Sequence, residues 1–91
     1  MVQVVWTRRA LADLEAIRIY IGEFSPLASQ RFARRLVEAG EALRAQPERG
    51  RAIAGGRREL TIIAPYLIRY RVRADAIEIL TVRHGARAPD V

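Results

Sequence analysis

Several residue types that support common kinds of site are missing or scarce in this sequence. It has no cysteine and no lysine, and its only histidine is His84. The missing cysteine excludes a disulfide framework and a thiolate metal site, and a single histidine argues against zinc. No apolar run approaches the roughly 18 residues that span a membrane, and the N-terminus lacks a signal-peptide pattern. We therefore expect a cytoplasmic protein with no membrane contact, no metal and no cofactor.

The composition indicates one folded domain. Hydrophobic residues make up 51% of the 91 residues, which argues against disorder. A chain of this length has no room for a second core, so residues 1–91 are expected to form a single domain. Such a chain buries only about 60–65% of its unfolded surface, and its stability alone should be marginal.

The net charge of +6 comes entirely from sixteen arginines. Arginine stays charged at any accessible pH and binds carboxylates and phosphates through paired hydrogen bonds. The surface therefore favours acidic partners, whether a protein segment or a nucleic acid. A stand-alone RNA-binding domain is disfavoured, because the two phenylalanines, three tyrosines and one tryptophan mostly take core positions and leave no stacking platform.

Two helices are predicted in the first half of the chain. A β-rich run over residues 2–6 precedes Thr7, which is a suitable N-cap for a helix over residues 8–23. The apolar stripe of that helix comprises Ala10, Leu14, Ile17, Ile21 and Phe24, widened by Leu11 and Tyr20. Ser25-Pro26 opens a second helix, which Pro47 ends. The short link predicts an antiparallel helical hairpin.

Three β-rich runs follow a loop over residues 46–56. They cover residues 58–63, 66–73 and 76–83. The predicted fold is therefore α+β, with the element order β-α-α-β-β-β. An N-terminal strand leads into the helical hairpin, which packs on one face of a small, mainly antiparallel sheet.

The register of the last two strands predicts two different sheet faces. Pairing Arg73 with Ala76 places a continuous apolar set on one face. This set comprises Ile68, Tyr70 and Val72 opposite Thr81, Ile79 and Ile77. The other face carries Leu67, Arg69 and Arg71 opposite Val82, Leu80 and Glu78. Arg71 should form a cross-strand ion pair with Glu78, and the uncovered aliphatic and arginine side chains should form a partner surface.

The last strand runs directly into Arg83-His84-Gly85-Ala86-Arg87. This segment places three ionisable side chains at the open end of the sheet. Such a cluster can hold phosphate or a carboxylate-rich partner, and in some folds it cuts RNA. Cleavage needs groups that take and give protons as well as cations. Arginine supplies only the cation, so His84 is the sole candidate for proton transfer. Its alternative role is structural, shaping the strand end at Gly85.

An ordered set of segments resembles the RelE/ParE superfamily, the toxins of bacterial type II toxin–antitoxin modules. The set comprises Ala10-Leu11-Ala12-Asp13-Leu14, Phe32 to Leu36, Leu43 to Pro47, Gly50-Arg51, Arg58-Glu59-Leu60, Tyr66-Leu67-Ile68-Arg69-Tyr70 and Ile77-Glu78-Ile79-Leu80. The ending His84-Gly85-Ala86-Arg87 looks more like the ParE branch than the RelE branch. The resemblance covers nearly the whole chain.

The resemblance implies a toxin that inhibits DNA gyrase and is neutralised by a ParD-like antitoxin. The acidic and apolar tail of that antitoxin would fold on binding, by adding a strand or by docking a helix in a groove. DNA contact would come only through the antitoxin. The expected partner-binding residues are Leu67, Arg69, Arg71, Leu80, Val82, Arg83 and Arg87, and no residue is expected to be catalytic.

The alternative is a RelE-like, ribosome-dependent mRNA endoribonuclease. Its site would comprise Arg58, Arg69, Arg83, His84 and Arg87. The sequence departs from that branch, because it has no lysine and its last tyrosine, Tyr70, lies inside a strand rather than near the C-terminus. An enzyme is therefore the less expected of the two functions.

Overall fold

The computed structural model describes residues 2–85, so Arg87 lies outside the described residues. The elements are β1 (Gln3–Trp6), α1 (Arg8–Gly22), α2 (Pro26–Ala42), β2 (Arg51–Ile53), β3 (Arg57–Ile63), β4 (Tyr66–Val72) and β5 (Ala76–His84). The strands form one sheet in the order β1-β5-β4-β3-β2. β1 is parallel to β5, and the other neighbouring strands are antiparallel. The predicted α+β architecture is confirmed.

The helix start signals act as predicted, but α2 ends early. The side-chain oxygens of Thr7 and Ser25 each accept a hydrogen bond from the backbone N–H three residues on, at 3.1 Å. These caps satisfy donors that the first turn of a helix cannot use. α2 ends at Ala42 rather than near Pro47. The backbone N–H groups of Leu43 and the next two residues donate to carbonyls three residues back, which tightens the chain out of the α-helix.

Both helices pack on one face of the sheet. The buried core comprises Ala10, Phe32, Leu36, Leu43, Ile68, Tyr70, Ile77, Ile79 and Val82. The predicted stripe of α1 is too wide, because Phe24 is 76% exposed and Leu11 and Tyr20 are each 52% exposed. Helical periodicity no longer applies at Phe24, since α1 ends at Gly22 and the chain turns there into α2.

The sequence prediction missed β2, which lies inside the predicted loop. β2 has only three residues, too few to show an alternating pattern. Its pairing depends on a distant strand: Arg51 lies opposite Glu59 of β3, and Arg51 Nη2 lies 2.8 Å from Glu59 Oε1. A short strand of this kind is stabilised by its neighbour rather than by its own sequence.

A bulge in β5 corrects the predicted faces of the sheet. The predicted register holds from the turn as far as Tyr70 and Ile79. An extra residue at Leu80 then shifts the pairing by one, so Ile68 lies opposite Val82. Val82 consequently faces the helices and is 3% exposed, so its predicted position on the uncovered face is wrong. A bulge reverses the alternation of every residue that follows it.

The predicted ion pair and the predicted exposed aliphatic patch also differ from the structure. Arg71 lies opposite Glu78 as expected, but the Glu78 carboxylate accepts a hydrogen bond from Arg73 Nε at 2.7 Å. Leu67 is 8% exposed and Leu80 is half-buried. Leu67 packs beside Gly85, where an added Cβ would lie only 3.3 Å from Leu67 Cδ2.

Candidate functional site

The observed fold places the predicted partner-binding residues in different parts of the molecule. The helix-free face of the sheet carries Leu67, Arg69, Arg71 and Arg83. Leu80 lies at the bulge, Val82 lies in the core under the helices, and Arg87 is outside the described residues. Alternation along β4 therefore places its arginines correctly, whereas the positions beyond the bulge in β5 depart from the simple pattern.

Glu59 forms ion pairs with two arginines near the helix-free face. Arg69 Nε lies 2.9 Å from Glu59 Oε2, and Arg51 Nη2 lies 2.8 Å from Glu59 Oε1. The side chains of Arg69 and Glu59 are only 15% and 11% exposed. Burial by itself raises the pKa of Glu59, but the hydrogen bonds from the two arginines outweigh it, so the pKa lies below its ordinary value.

Other arginines of the sheet are bound to nearby backbone or carboxylate groups. Arg58 Nη1 donates to the Gly50 carbonyl oxygen at 2.7 Å, and Arg57 Nε donates to the Ala54 carbonyl oxygen at 3.0 Å. Arg73 is held by Glu78, as described above. These arginines therefore stabilise the loop before β3 and the edges of the sheet, and their donors are only partly available to a ligand.

The residues of the ribonuclease alternative do not come together. Cross-strand partners share one face of a sheet. Arg58 and His84 both lie opposite tyrosines on the helix-covered face. Arg69 and Arg83 lie on the opposite face, and Arg87 is outside the described residues. The single histidine is thus on the opposite face from Arg69, although Arg83 and His84 both line one open pocket beside α1.

His84 packs in a row of rings. Its ring centroid lies 5.2 Å from that of Tyr66 at a steep interplanar angle, and Tyr66 contacts Phe32 in the same edge-on manner at 5.0 Å. Such edge-to-face contacts stabilise packing. The ring of His84 therefore contributes to packing at the end of β5, where it also lines an open pocket with Asp13 and Arg83.

A second feature, which the sequence prediction missed, lies between α2 and the outer edge of β3. Two grooves of about 360 Å³ and about 250 Å³ adjoin there, and Arg35 lines both. The larger is mostly apolar, with Phe32, Ile63 and Tyr66 in its wall. The smaller is more polar and is bordered by Thr61 and Ile62. We call the two grooves together the α2–β3 channel.

The channel carries arginines that have no partner within the described part of the chain. Arg31 and Arg35 line the larger groove, and Arg49 joins Arg35 in the smaller one. All three are exposed, and across residues 2–85 their guanidinium groups form no hydrogen bond or ion pair. One carboxylate, that of Glu38, lines the smaller groove with Arg35 and Arg49. The spacing of Arg31 and Arg35 by one helical turn was visible in the sequence, but the strand edge beside them was not.

The described residues also limit other kinds of site. Neither helix within residues 2–85 is both long enough and apolar enough to cross a membrane. The same residues contain no group of three or more histidine, aspartate or glutamate side chains that could hold a metal ion.

Comparison with known proteins assigns the family. Residues 4–89 match the model of the ParE toxin of the type II toxin–antitoxin system parDE. The chain is 56% identical over 87 residues to Toxin RelE2 of Caulobacter vibrioides, covering 96% of this chain and 99% of that protein. It superposes on a chain of the chromosomal ParDE TA system from P. aeruginosa with a TM-score of 0.79 and 31% identity, covering 92% of this chain and 96% of that one. The chain therefore belongs to the ParE toxin family of the RelE/ParE superfamily and is the toxin of a type II toxin–antitoxin system.

Proposed function

We propose that this toxin is cytoplasmic, inhibits DNA gyrase and is held inactive by a ParD-like antitoxin. The observation that carries the choice of a non-enzymatic toxin is the position of Arg69 on the face of the sheet opposite Arg58 and His84. With Arg69 on the other face, these cations and His84 do not converge on one phosphate, as phosphate cleavage would require. Gyrase as the target is supported by the match to the ParE model rather than by any geometry of the chain.

The electrostatics support an acidic antitoxin as the partner. The net charge is +6, and the α2–β3 channel holds arginines whose donors are unused within residues 2–85. Exposed arginines of this kind attract carboxylates and speed the association of oppositely charged proteins. The similar solved chain comes from a ParDE system, which supports a ParD-like partner here. DNA contact for this toxin would come through that antitoxin.

Two parallel reactions test the proposed target. Purified toxin is added to gyrase with relaxed plasmid, and separately to a translation reaction with ribosomes and a defined mRNA. We expect loss of supercoiling or trapped cleavage complexes in the first reaction and intact mRNA in the second. Codon-dependent cutting of mRNA with unaffected gyrase would instead establish the RelE-like endoribonuclease. A short neighbouring gene for a ribbon-helix-helix protein would supply the antitoxin for a neutralisation control.

A further inference from the structure

We propose that the outer face of α1 binds a second copy of this chain, so that the free toxin forms an antiparallel α1–α1 dimer with its twofold axis at Ala16. The proposal does not depend on the identity of the toxin's target. It follows from three features of this face: an exposed apolar stripe, side-chain sizes that match under twofold symmetry, and balanced charges.

The first feature is a stripe of exposed residues on the side of α1 that faces away from the core. We call it the outer stripe; it comprises Arg9, Ala12, Ala16, Ile19 and Glu23. Alternating spacings of three and four residues place all five on one face of the helix, as in a coiled-coil seam. Ile19 is 55% exposed. A surface helix normally carries polar side chains opposite its core stripe, so an apolar centre there indicates a partner.

The second feature is the order of side-chain sizes along this face. Alanines occupy positions 12 and 16, whereas the large residues Ile19 and Tyr20 follow them. In an antiparallel pair centred on Ala16, Ala12 of one copy lies level with Tyr20 of the second copy. Small side chains of one copy therefore meet large ones of the other, as the self-complementary interface of a twofold dimer requires. The two Ala16 residues meet at the axis and let the helices approach to about 8 Å.

An open pocket beside the outer stripe provides space for the tyrosine of the second copy. It occupies about 340 Å³ between α1 and β5, with Asp13, Ala16 and Val82 in its wall. Tyr20 borders the same pocket, and its ring packs edge-on against Phe24 with the centroids 5.4 Å apart. In the antiparallel pair, Tyr20 of the second copy reaches the Asp13 end of this pocket. Burial of its ring favours association in rough proportion to the apolar area removed from water.

The third feature is the charge of α1, which differs from that of the whole chain. The net charge of the chain is +6, but the charges of α1 and its C-cap cancel. Three arginines are balanced there by three acidic residues, namely Arg8, Arg9, Arg18, Asp13, Glu15 and Glu23. Association through this helix therefore brings two neutral faces together, although the chains as a whole repel each other.

The ends of the outer stripe carry opposite charges. Arg9 lies level with Glu23 of the second copy, and the twofold axis repeats this pair. Arg9 Nε donates to Asp13 Oδ1 at 3.1 Å, but the Arg9 side chain is 72% exposed and a guanidinium has five N–H donors. The Glu23 carboxylate forms no hydrogen bond or ion pair within residues 2–85. These pairs favour the antiparallel orientation, because a parallel pair would place like charges together.

The first test measures the oligomeric state of the full chain, purified without any antitoxin. We expect sedimentation equilibrium to show a reversible monomer–dimer equilibrium, because two crossing helices bury less than the roughly 1,200 Å² typical of stable complexes. In an isotope-labelled sample, the amide signals of residues 9–23 should shift with protein concentration. A monomer at every concentration, or concentration-dependent shifts confined to α2 or β3, would overturn the proposal.

Paired substitutions separate the outer stripe from the general basic surface. Ala16→Arg places two like charges at the twofold axis and should weaken the dimer by at least about tenfold. Ala42→Arg is the matched control, because Ala42 is exposed at the end of α2, outside the outer stripe, and the substitution adds the same charge. It should weaken the dimer by at most about twofold. Equal effects in two variants that circular dichroism shows to be folded would contradict a site on α1.

Charge reversal at the ends of the outer stripe tests the antiparallel arrangement. Arg9→Glu and Glu23→Arg should each weaken dimerisation by about tenfold when the variant is alone, because like charges then meet at both ends. An equimolar mixture of the two variants should recover the dimer. In that mixed pair, the two reversed positions face each other with opposite charge, and so do the two unchanged positions. A mixture that stays as monomeric as its components would overturn the proposal.

The antitoxin is the competing occupant of this face. If the chain stays monomeric while an added antitoxin shifts the amides of residues 9–23, the outer stripe belongs to the antitoxin and the proposal is overturned. If the dimer forms and Ala16→Arg abolishes it, the second copy is the occupant. Gyrase inhibition is measured separately, so its loss or retention bears on the proposed function alone.

Discussion

Asp13 on α1 accepts a hydrogen bond from the backbone of Val82 on β5, with Oδ2 and N 3.1 Å apart. The contact joins residues that are 69 positions apart in the sequence. It lies just beyond the bulge that turns Val82 into the core. The carboxylate therefore substitutes for a missing neighbouring strand at the point where the register changes, and it connects the helical hairpin to the sheet.

Replacing Asp13 tests this connection. Asp13→Ala leaves the Val82 N–H without its acceptor and should lower the free energy of unfolding by about 1–2 kcal/mol. Asp13→Asn keeps a carbonyl acceptor, so it should lower the free energy of unfolding by less than half of that amount. Urea unfolding followed by circular dichroism measures both values. Equal losses for the two variants would mean that charge, including the contact with Arg9, matters more than the hydrogen bond.

The Tyr70 hydroxyl should be a second stabilising group. It accepts from the Gly50 N–H and donates to the Pro47 carbonyl oxygen, each at 2.8 Å. Tyr70→Phe leaves the Gly50 N–H and the Pro47 carbonyl oxygen without their hydrogen-bond partner. It should lower the free energy of unfolding by about 1–3 kcal/mol. The Gly50 amide should also exchange faster in the variant. Tyr20→Phe is the control, because Tyr20 is half-exposed and should tolerate the change.

Gly50 itself should not accept a side chain. An added Cβ would lie 2.8 Å from the Tyr70 hydroxyl and 2.9 Å from the Glu59 carbonyl oxygen. The Tyr70 side chain could shift, but the Glu59 carbonyl oxygen belongs to a paired strand and cannot move without disturbing the pairing of β2 with β3. Gly50→Ala should therefore lower the melting temperature. Gly22→Ala is the control, because an added Cβ there would meet the Ser29 hydroxyl at an ordinary 3.6 Å, and an equal loss at that site would contradict close approach as the cause.

Stability should decline in acid as Glu59 becomes protonated. Its pKa is depressed in the folded chain below the ordinary 4.5, which also describes the unfolded chain. The stabilisation is therefore complete above about pH 4.5 and is lost as the pH falls through the lower, folded value. Glu59→Gln should be less stable than the natural chain at neutral pH, and the difference should shrink on acidification.

A surface pair provides the control for this titration. Arg18 lowers the pKa of Glu15, but both side chains are exposed to solvent. Exposed pairs are screened by salt and contribute little. Glu15→Gln should therefore leave the pH dependence of the unfolding free energy almost unchanged. If it altered that dependence as much as Glu59→Gln, the buried position of Glu59 would not be the cause.

His84 should be dispensable for toxicity. His84→Phe keeps an aromatic ring against Tyr66 and removes the only imidazole of the chain. We expect growth inhibition and gyrase inhibition within about twofold of the natural chain, since no proton transfer is required. Loss of toxicity in this variant with unchanged thermal unfolding would favour the ribonuclease alternative. His84→Ala separates loss of packing from loss of the imidazole.

Local sequence patterns predicted much of the fold. The two N-caps, the helical hairpin and four of the five strands were predicted from residues that are close together in the chain, and these predictions agree with the structure. The errors arose where distant segments meet. β2 needs β3 to exist as a strand, and the bulge at Leu80 shifts the pairing of β5 without any glycine or proline to mark it.

The candidate site was predicted less well than the fold. Arg69 was placed on the correct face by alternation, but its pairing with Glu59 depends on which residue of β3 lies opposite it. The exposed channel arginines were not singled out, because the grooves that they line form only where α2 meets β3. Sequence spacing shows which side chains share a face but does not show which of them already have partners.

By itself, the sequence determined the excess of arginine, the lack of thiolate and metal ligands, and the start of each helix. These properties follow from composition or from hydrogen bonds between near neighbours. Only the tertiary structure decided that Val82 is core, that Glu59 holds Arg51 and Arg69, and that residues 60–63 of β3 pair with β4 but with no second strand within residues 2–85. Those outcomes depend on which remote backbone and side-chain groups satisfy one another when the sheet assembles, and chain order alone does not specify that.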